Sequence, residues 1–396
     1  MPTDNGTDAD PPKRRPPSDA LGRLMTTLVL VSLNNGTLAA LRLVLPMVAL
    51  SLGADEVVVG GLAALVSVGP MIFNVPYGRW IDRAGSLVPF VSAACMNVAA
   101  GTIFVLMPGI VTLALVAALI GSATNFAHLA AVRAVAEASG ESRRTRNLGW
   151  LLVSHSLFQF LTPMVAGFAY EHGGGRAALA VILCSGLLSL LGVATGYHHY
   201  SSVPTSARSG ARRGSILSLL RHPGLGGRLA HASIFISVIT IFPFVIALHA
   251  TKTGMTGSEA GLLLGAMTAG SLTSRVLAGW VSRLLRPATV LLAGLLIGAA
   301  LYAMLPFLHD FWPLMALSGL LGFSLGFGVP ISLSLTYDAA PEGRANEAAG
   351  VGQALANIQQ TALPLLLGLI AAGPGEAVMV WLIAGLMLAT AAFARA

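Results

Sequence analysis

The chain of 396 residues is 55% hydrophobic and only 10% charged, and its mean hydropathy of +0.78 excludes an ordinary water-soluble domain. A net charge of +7 and a pI near 10.0 would point to nucleic acid in a soluble protein. Here the basic residues sit between apolar runs, so they mark membrane topology and imply no nucleic-acid partner.

About 20 apolar residues cross a bilayer as a helix. Residues 1–23, polar and Pro-rich, read as a disordered cytoplasmic tail. The apolar run that follows is too long for a cleaved signal and stays as a helix. Spans are predicted at 24–51, 57–77, 87–107, 110–136, 147–170 and 177–198, then at 229–250, 259–281, 288–308, 312–337, 347–371 and 377–394. Residues 199–228, rich in Ser, Gly and Arg, read as a cytoplasmic linker between an N-terminal bundle (24–198) and a C-terminal bundle (229–396). With the N-terminus inside, eighteen of the 23 Lys and Arg residues fall in cytoplasmic segments and only Arg176 and Lys252 fall outside. That asymmetry places both termini in the cytoplasm, as for a multi-pass protein of a bacterial inner membrane. Cys95 and Cys184 lie in apolar runs and read as packing residues, since two such thiols make no disulfide framework.

The organising stretch is Gly78-Arg79-Trp80-Ile81-Asp82-Arg83-Ala84-Gly85, read as a charged turn after the second span. A weaker copy, Gly279-Trp280-Val281-Ser282-Arg283, follows the eighth. Shifting the first half forward by 201 positions sets Gly121 on Gly322, Glu137 on Asp338, Arg143 on Arg344, Gly149 on Gly350, Gln159 on Gln360, Pro163 on Pro364 and Gly167 on Gly368. Internal duplication of this kind marks secondary transporters with a midplane site between the repeats.

Over residues 24–394 the chain resembles the major facilitator superfamily. Gly78, Asp82, Arg83 and Gly85 stand at the family's loop 2–3 signature, although the basic residue expected after the second Gly is Ser86 and the second-half acid is Ser282. Arg133 looks like the family's helix 4 arginine. Thr162-Pro163-Met164-Val165-Ala166-Gly167 is similar to the Gly-Pro-x-x-Gly-Gly element of antiporters, with two glycines absent. The resemblance implies an all-α fold of twelve membrane helices in two pseudo-symmetric six-helix bundles. Glu137 with Arg143, and Asp338 with Arg344, resemble the family's acid–arginine pairs at the inner ends of helices 4 and 10. With Asp82 and Arg83 they are candidates for a cytoplasmic gate that breaks when the cavity opens inward. The alternative is that they are loop charges that set topology, since exposed ion pairs contribute about 0–1 kcal/mol.

Three arginines remain inside spans, Arg42, Arg133 and Arg275. Each costs at least about 2.5 kcal/mol near a helix centre unless paired or hydrated. Helical spacing puts Asn35 and Arg42 on one face, and Thr268, Ser271 and Arg275 on another, both suited to line a cavity. No Asp or Glu falls in the middle third of any span. A formally positive interior favours an anionic group on a small organic solute. The alternative for Arg133 and Arg275 is backbone bonding or snorkelling to the interface. His128 with Asn125, and His155 with Gln159, are candidates for solute contact and proton carrying, with Glu56 and Glu259 as further proton candidates. Gln353, Asn357 and Gln360 form an amide stripe that suits either a polar solute or helix–helix bonding. The tenth-span glycines Gly319, Gly322, Gly326 and Gly328 read as packing positions.

No nucleophile, metal cluster or phosphate-binding Gly-x-x-x-x-Gly-Lys-Ser/Thr motif is visible, so neither an enzyme nor an ATP-driven pump is implied and no cofactor is expected. The reading is a monomeric secondary transporter that exports an anionic or amphipathic compound against protons. Organic-anion uptake by symport or uniport is the alternative, and a channel is a remoter one.

Overall fold

The apolar stretch Val153–Thr195 runs for 43 residues. As one helix it would be about 65 Å long, twice the bilayer core of about 30 Å. The chain breaks it at Gly173 (φ −143°, ψ 15°) and Gly174 (φ 62°, ψ −159°). The second conformation lies in the left-handed region that glycine enters without steric cost.

The computed structural model describes residues 19–84, 87–138, 141–196, 225–341, 344–373 and 375–393. The helices are α1 (Asp19–Ser51), α2 (Glu56–Ala84), α3 (Leu87–Leu106), α4 (Ile110–Ala138), α5 (Glu141–Gly196), α6 (Leu225–Thr253), α7 (Gly257–Leu284), α8 (Pro287–Met304), α9 (Phe311–Gly326), α10 (Gly328–Ala339), α11 (Ala345–Ala372) and α12 (Glu376–Phe393). The two arms of α5 are separate crossings, whereas α9 and α10 together make one. Among the described residues nine segments are long and apolar enough to cross a membrane, and α2 and α12 carry shorter apolar windows. With the two arms of α5 counted apart, these account for the twelve expected crossings.

Three expectations are corrected. The stretch 78–84 is the last part of α2 and not a turn, and 279–283 is likewise inside α7; the helices run on past the apolar windows because their own backbone bonds continue into the polar headgroup layer. Helix α1 starts at Asp19, inside the expected tail. Cys95 and Cys184 are exposed on the bundle surface and do not pack in the core.

The shift of 201 seen in the sequence recurs in the backbone. Four glycines have positive φ, and they pair at that shift: Gly53 (83°) with Gly254 (74°), and Gly174 (62°) with Gly375 (103°). Each lies between helices, or at the break within α5, on the face opposite the end of α2 and the start of α3, called here the far face. Close helix approaches repeat too. A Cβ on Gly121 would meet the carbonyl of Val66, and one on Gly322 the carbonyl of Met267, residues that also differ by 201. In the tenth crossing Gly326 packs on Ser271 and Ser274 and Gly328 on Phe235, so these glycines are contact positions.

The bundles meet through α2 with α11, α5 with α7, and α1 with α6. Two of these seams are pseudo-symmetric. On one, a Cβ on Gly60 would strike the Pro364 carbonyl, and one on Gly368 would lie 2.5 Å from the Glu56 carbonyl. On the other, Gly167 and Gly257 present their backbones to each other, and a Cβ on Gly261 would lie 2.9 Å from the Pro163 carbonyl. Small residues let helix backbones touch where lipid gives no hydrophobic drive. The shortened Pro163–Gly167 element is therefore half of the far-face seam, with Pro364 and Gly368 the other half. Gly167→Val should destabilise this closure by about 1–3 kcal/mol through overpacking. The measurable result is faster thiol labelling of cysteines placed on the far face, in protein that still inserts and elutes as a single species.

Candidate functional site

Between the bundles lies a cavity of about 370 Å³, within the range of roughly 300–1,000 Å³ typical of small-molecule sites. The N-terminal bundle supplies Asn35 and Arg42 from α1, Ser67 from α2, and Thr124, Asn125 and His128 from α4. The C-terminal bundle supplies Gln353, Asn357 and Gln360, all from α11. Residues 353, 357 and 360 fall on one helical stripe, which is why one helix presents three carboxamides to the same space.

Arg42 Nη2 donates to Gln360 Oε1 at 3.1 Å, a hydrogen bond that joins the two bundles. On its other side the same pair borders a void of about 30 Å³ walled by Leu45, Ile241, Phe244, Leu363 and Pro364. The guanidinium therefore stands between the cavity and this smaller, mostly apolar void toward the far face. Among the described residues no carboxylate lines the cavity. A guanidinium carries five N–H donors, and with a neutral partner its charge is left for whatever enters.

Further along the wall Asn35 Nδ2 lies 3.4 Å from His155 Nε2, and the rings of His128 and His155 stand 5.8 Å apart. The structure thus brings together three residues, Asn35, His128 and His155, from three different crossings, although His155 itself is not in the cavity wall. Gln353 Nε2 donates to Asn357 Oδ1 at 3.2 Å, so the amide stripe is partly self-bonded. Gln159, half-buried one turn after His155, is not in the cavity wall.

Arg275 and Ser271 are not in that wall either. Arg275 is exposed and donates from Nη1 to Ser156 Oγ at 3.3 Å, a second inter-bundle bond, between α7 and α5. Ser271 is buried against Gly326. The expected shared face fails because Ser271 is displaced by about 40–60° round the helix from Arg275 and Thr268, enough to turn it into its own bundle. Arg133 lies in α4, with its side chain outside the described residues. Among the described residues no grouping of His, Cys, Asp or Glu could hold a metal ion.

A sequence profile of the Major Facilitator Superfamily matches residues 25–245 and again residues 229–396. The chain belongs to the major facilitator superfamily. It is a transporter and not an enzyme. No curated protein matches it in sequence. Among solved structures it is similar to a bacterial homolog of the human lysosomal transporter Spinster in an inward-facing, unoccupied conformation, at 13% identity and TM-score 0.74, over 96% of this chain and 95% of that one. It is also similar to the peptide transporter POT in complex with sulfate, at 14% identity and TM-score 0.75, over 94% and 93% of the two chains. A POT family transporter in complex with 5-aminolevulinic acid gives 12% identity and TM-score 0.75 over 93% and 94%.

Of the superfamily's loop 2–3 signature, Gly78 sits within α2, and Gly85 and the side chains of Asp82 and Arg83 lie outside the described residues, as do those of Glu137 and Arg143. Asp338 is exposed near the end of α10, and Arg344 is the residue before α11, its backbone accepting from Ala348 N at 2.9 Å.

Glu56 and Glu259 have other partners on the far face. Glu56 faces Lys252 of the opposite bundle, Nζ to Oε1 3.6 Å. Glu259 closes a capping box at the start of α7, accepting from Thr256 N at 2.8 Å while its own N–H donates to Thr256 Oγ1 at 3.2 Å. A second far-face tie, Ser258 N–H to Glu171 Oε2 at 3.2 Å, crosses between the bundles and had no sequence signal, since its partners lie 87 residues apart. Gln serves as well as Glu in a capping box. Glu259→Gln should leave solute transport and its pH dependence unchanged, whereas Glu259→Ala should lower stability by about 0.5–2 kcal/mol. Thermal unfolding beside a transport pH profile checks both.

Proposed function

We propose that the chain is a proton-coupled secondary transporter that exports a small organic anion by alternating access, and that Arg42 receives the solute's anionic group. The carrying observation is the Arg42 guanidinium, bonded to the neutral Gln360 at one end of a cavity whose described wall holds no carboxylate. A cation near mid-bilayer costs at least about 2.5 kcal/mol, and an anion beside it offsets that cost. The amides of Asn35, Asn125, Gln353 and Asn357 each offer a donor and an acceptor to the remainder of the solute.

The seams Gly60–Gly368 and Gly167–Gly257, with the ties Glu56–Lys252 and Glu171–Ser258, hold the bundles together on the far face. The charge asymmetry of the loops makes that face the outer one, both termini cytoplasmic, and the state inward-facing. Asp82, Arg83, Glu137, Arg143, Asp338 and Arg344 then form the opposite closure, made when the far face opens. The bundles are taken as residues 24–198 and 229–396, and the working unit as the monomer. Export rests on the shortened antiporter-like element in α5; uptake of the same class of anion uses the same site with the cycle reversed.

The test is a thermal-shift screen of purified protein and of Arg42→Met against 5-aminolevulinate, benzoate, sulfate and the lipophilic cation tetraphenylphosphonium. A ligand at about 100 times its Kd adds roughly 2.7 kcal/mol to the folded state. Anions should stabilise the native protein and lose that effect in Arg42→Met. Stabilisation by the cation in both proteins, with none by anions, would contradict the reading.

A further inference from the structure

We infer that His249 and Glu376 form a proton-binding site on the outer side of the C-terminal bundle, and that its occupancy favours closure of that side. His249 Nδ1 lies 2.6 Å from Glu376 Oε1, and His249 Nε2 lies 2.8 Å from the carbonyl oxygen of Leu308. The side chains are 3% and 13% exposed. A carbonyl cannot donate, so Nε2 carries a hydrogen. Between Nδ1 and Oε1, two acceptors when both are bare, the short contact requires one more proton. Whether that proton rests on the imidazole or on the carboxyl, the pair binds a single exchangeable proton and is neutral overall.

Removing that proton leaves one N–H for two acceptors. Either the Glu376 contact or the Leu308 bond must then break, and the site gains a net negative charge. Each contact ties a different element to α6: Glu376 begins α12, and Leu308 follows the short helical turn Leu305–Phe307 after α8. The far end of α6 also carries Lys252, one turn beyond His249, whose ammonium reaches Glu56 of the other bundle. Residues three apart on a helix are neighbours. A deprotonated pair therefore competes with Glu56 for Lys252 and loosens an outer tie. The other titratable group shown beside the site is His309, whose ring centre is 6.3 Å from that of His249; Asp310 follows it in the chain. Neither a lone His249 nor a lone Glu376 has this property; it comes from their contact across 127 residues.

The sign follows from linkage. If the proton is held more tightly when the outer side is closed, the closed population falls as pH rises through the titration of the pair. Protonation from outside then drives return to the inward-facing state, which a proton-coupled cycle needs in either direction of solute flow. The inference rests on the alternating-access reading above, and the experiment separates the two.

The measurement is the spin-label distance across the outer face of the full chain in nanodiscs, with Cys95 and Cys184 replaced by Ser and labels at Met107→Cys and Trp312→Cys. Both positions are exposed, at 69% and 75%. The wild-type distance should lengthen from acid to alkaline pH. In both His249→Gln and Glu376→Gln, which retain hydrogen-bonding amides, it should become independent of pH. A wild-type distance that lengthens in Gly167→Val but not with pH overturns the proton site and leaves the carrier standing. One that moves with neither overturns both, and a pH response unchanged in the two variants overturns the site.

Discussion

Among the described residues of the cavity wall one side chain carries a fixed charge, the guanidinium of Arg42. It sits nine residues from the end of α1, about 14 Å from that helix terminus, and its described side-chain partner is a neutral amide from the opposite bundle, Gln360. Everything around it follows from keeping that charge tolerable. The cavity on one side carries polar side chains from α1, α2, α4 and α11, and the small void on the other is mostly apolar. The hydrogen bond also crosses between the bundles, so the group proposed to meet the solute is one that senses how the bundles are set. A solute that takes over a donor from Gln360 changes an inter-bundle contact directly, with no need for a longer path.

The closure around that site depends on backbones touching. Gly60 and Gly368, and Gly167 and Gly257, allow approaches that any Cβ would block. These seams are short and made of small residues, and the polar ties beside them, Glu56–Lys252 and Glu171–Ser258, are partly or fully exposed. Exposed ties of this kind contribute about 0–1 kcal/mol each. A closure built from weak parts suits a protein that must open it in every cycle. The bundles themselves are built differently, with glycine-on-carbonyl contacts such as Gly121–Val66 and Gly322–Met267 inside each half.

Much of the fold was legible in the sequence because a bilayer permits few solutions. Apolar runs of about 20 residues become crossings, and a shift of 201 found from matched residue types proved to be the register of the backbone itself, down to the positive-φ glycines Gly53 and Gly254. Helix ends were less legible: α2 runs to Ala84 where an apolar count stops at 77, because hydropathy marks the lipid boundary and not the end of the hydrogen-bonded helix. The site was legible in part. Arg42, Asn35 and the α11 amides stood out as polar residues on a shared face within apolar runs. Arg275 and Ser271 did not enter the cavity, since spacing along one helix cannot say which neighbour that face meets. The His249–Glu376 pair carried no local pattern at all, being assembled from two crossings by the fold.

The central claim, that one cavity is offered to the two sides in turn with Arg42 as its anion-binding group, is tested most directly by counterflow. Proteoliposomes would be loaded with whichever organic acid stabilises the protein best and diluted into a trace of the same labelled acid. Transient accumulation of label above its equilibrium level, absent with Arg42→Met in protein inserted to the same extent, is the predicted result. Label that rises monotonically to equilibrium in the wild type, with no overshoot, would contradict the account.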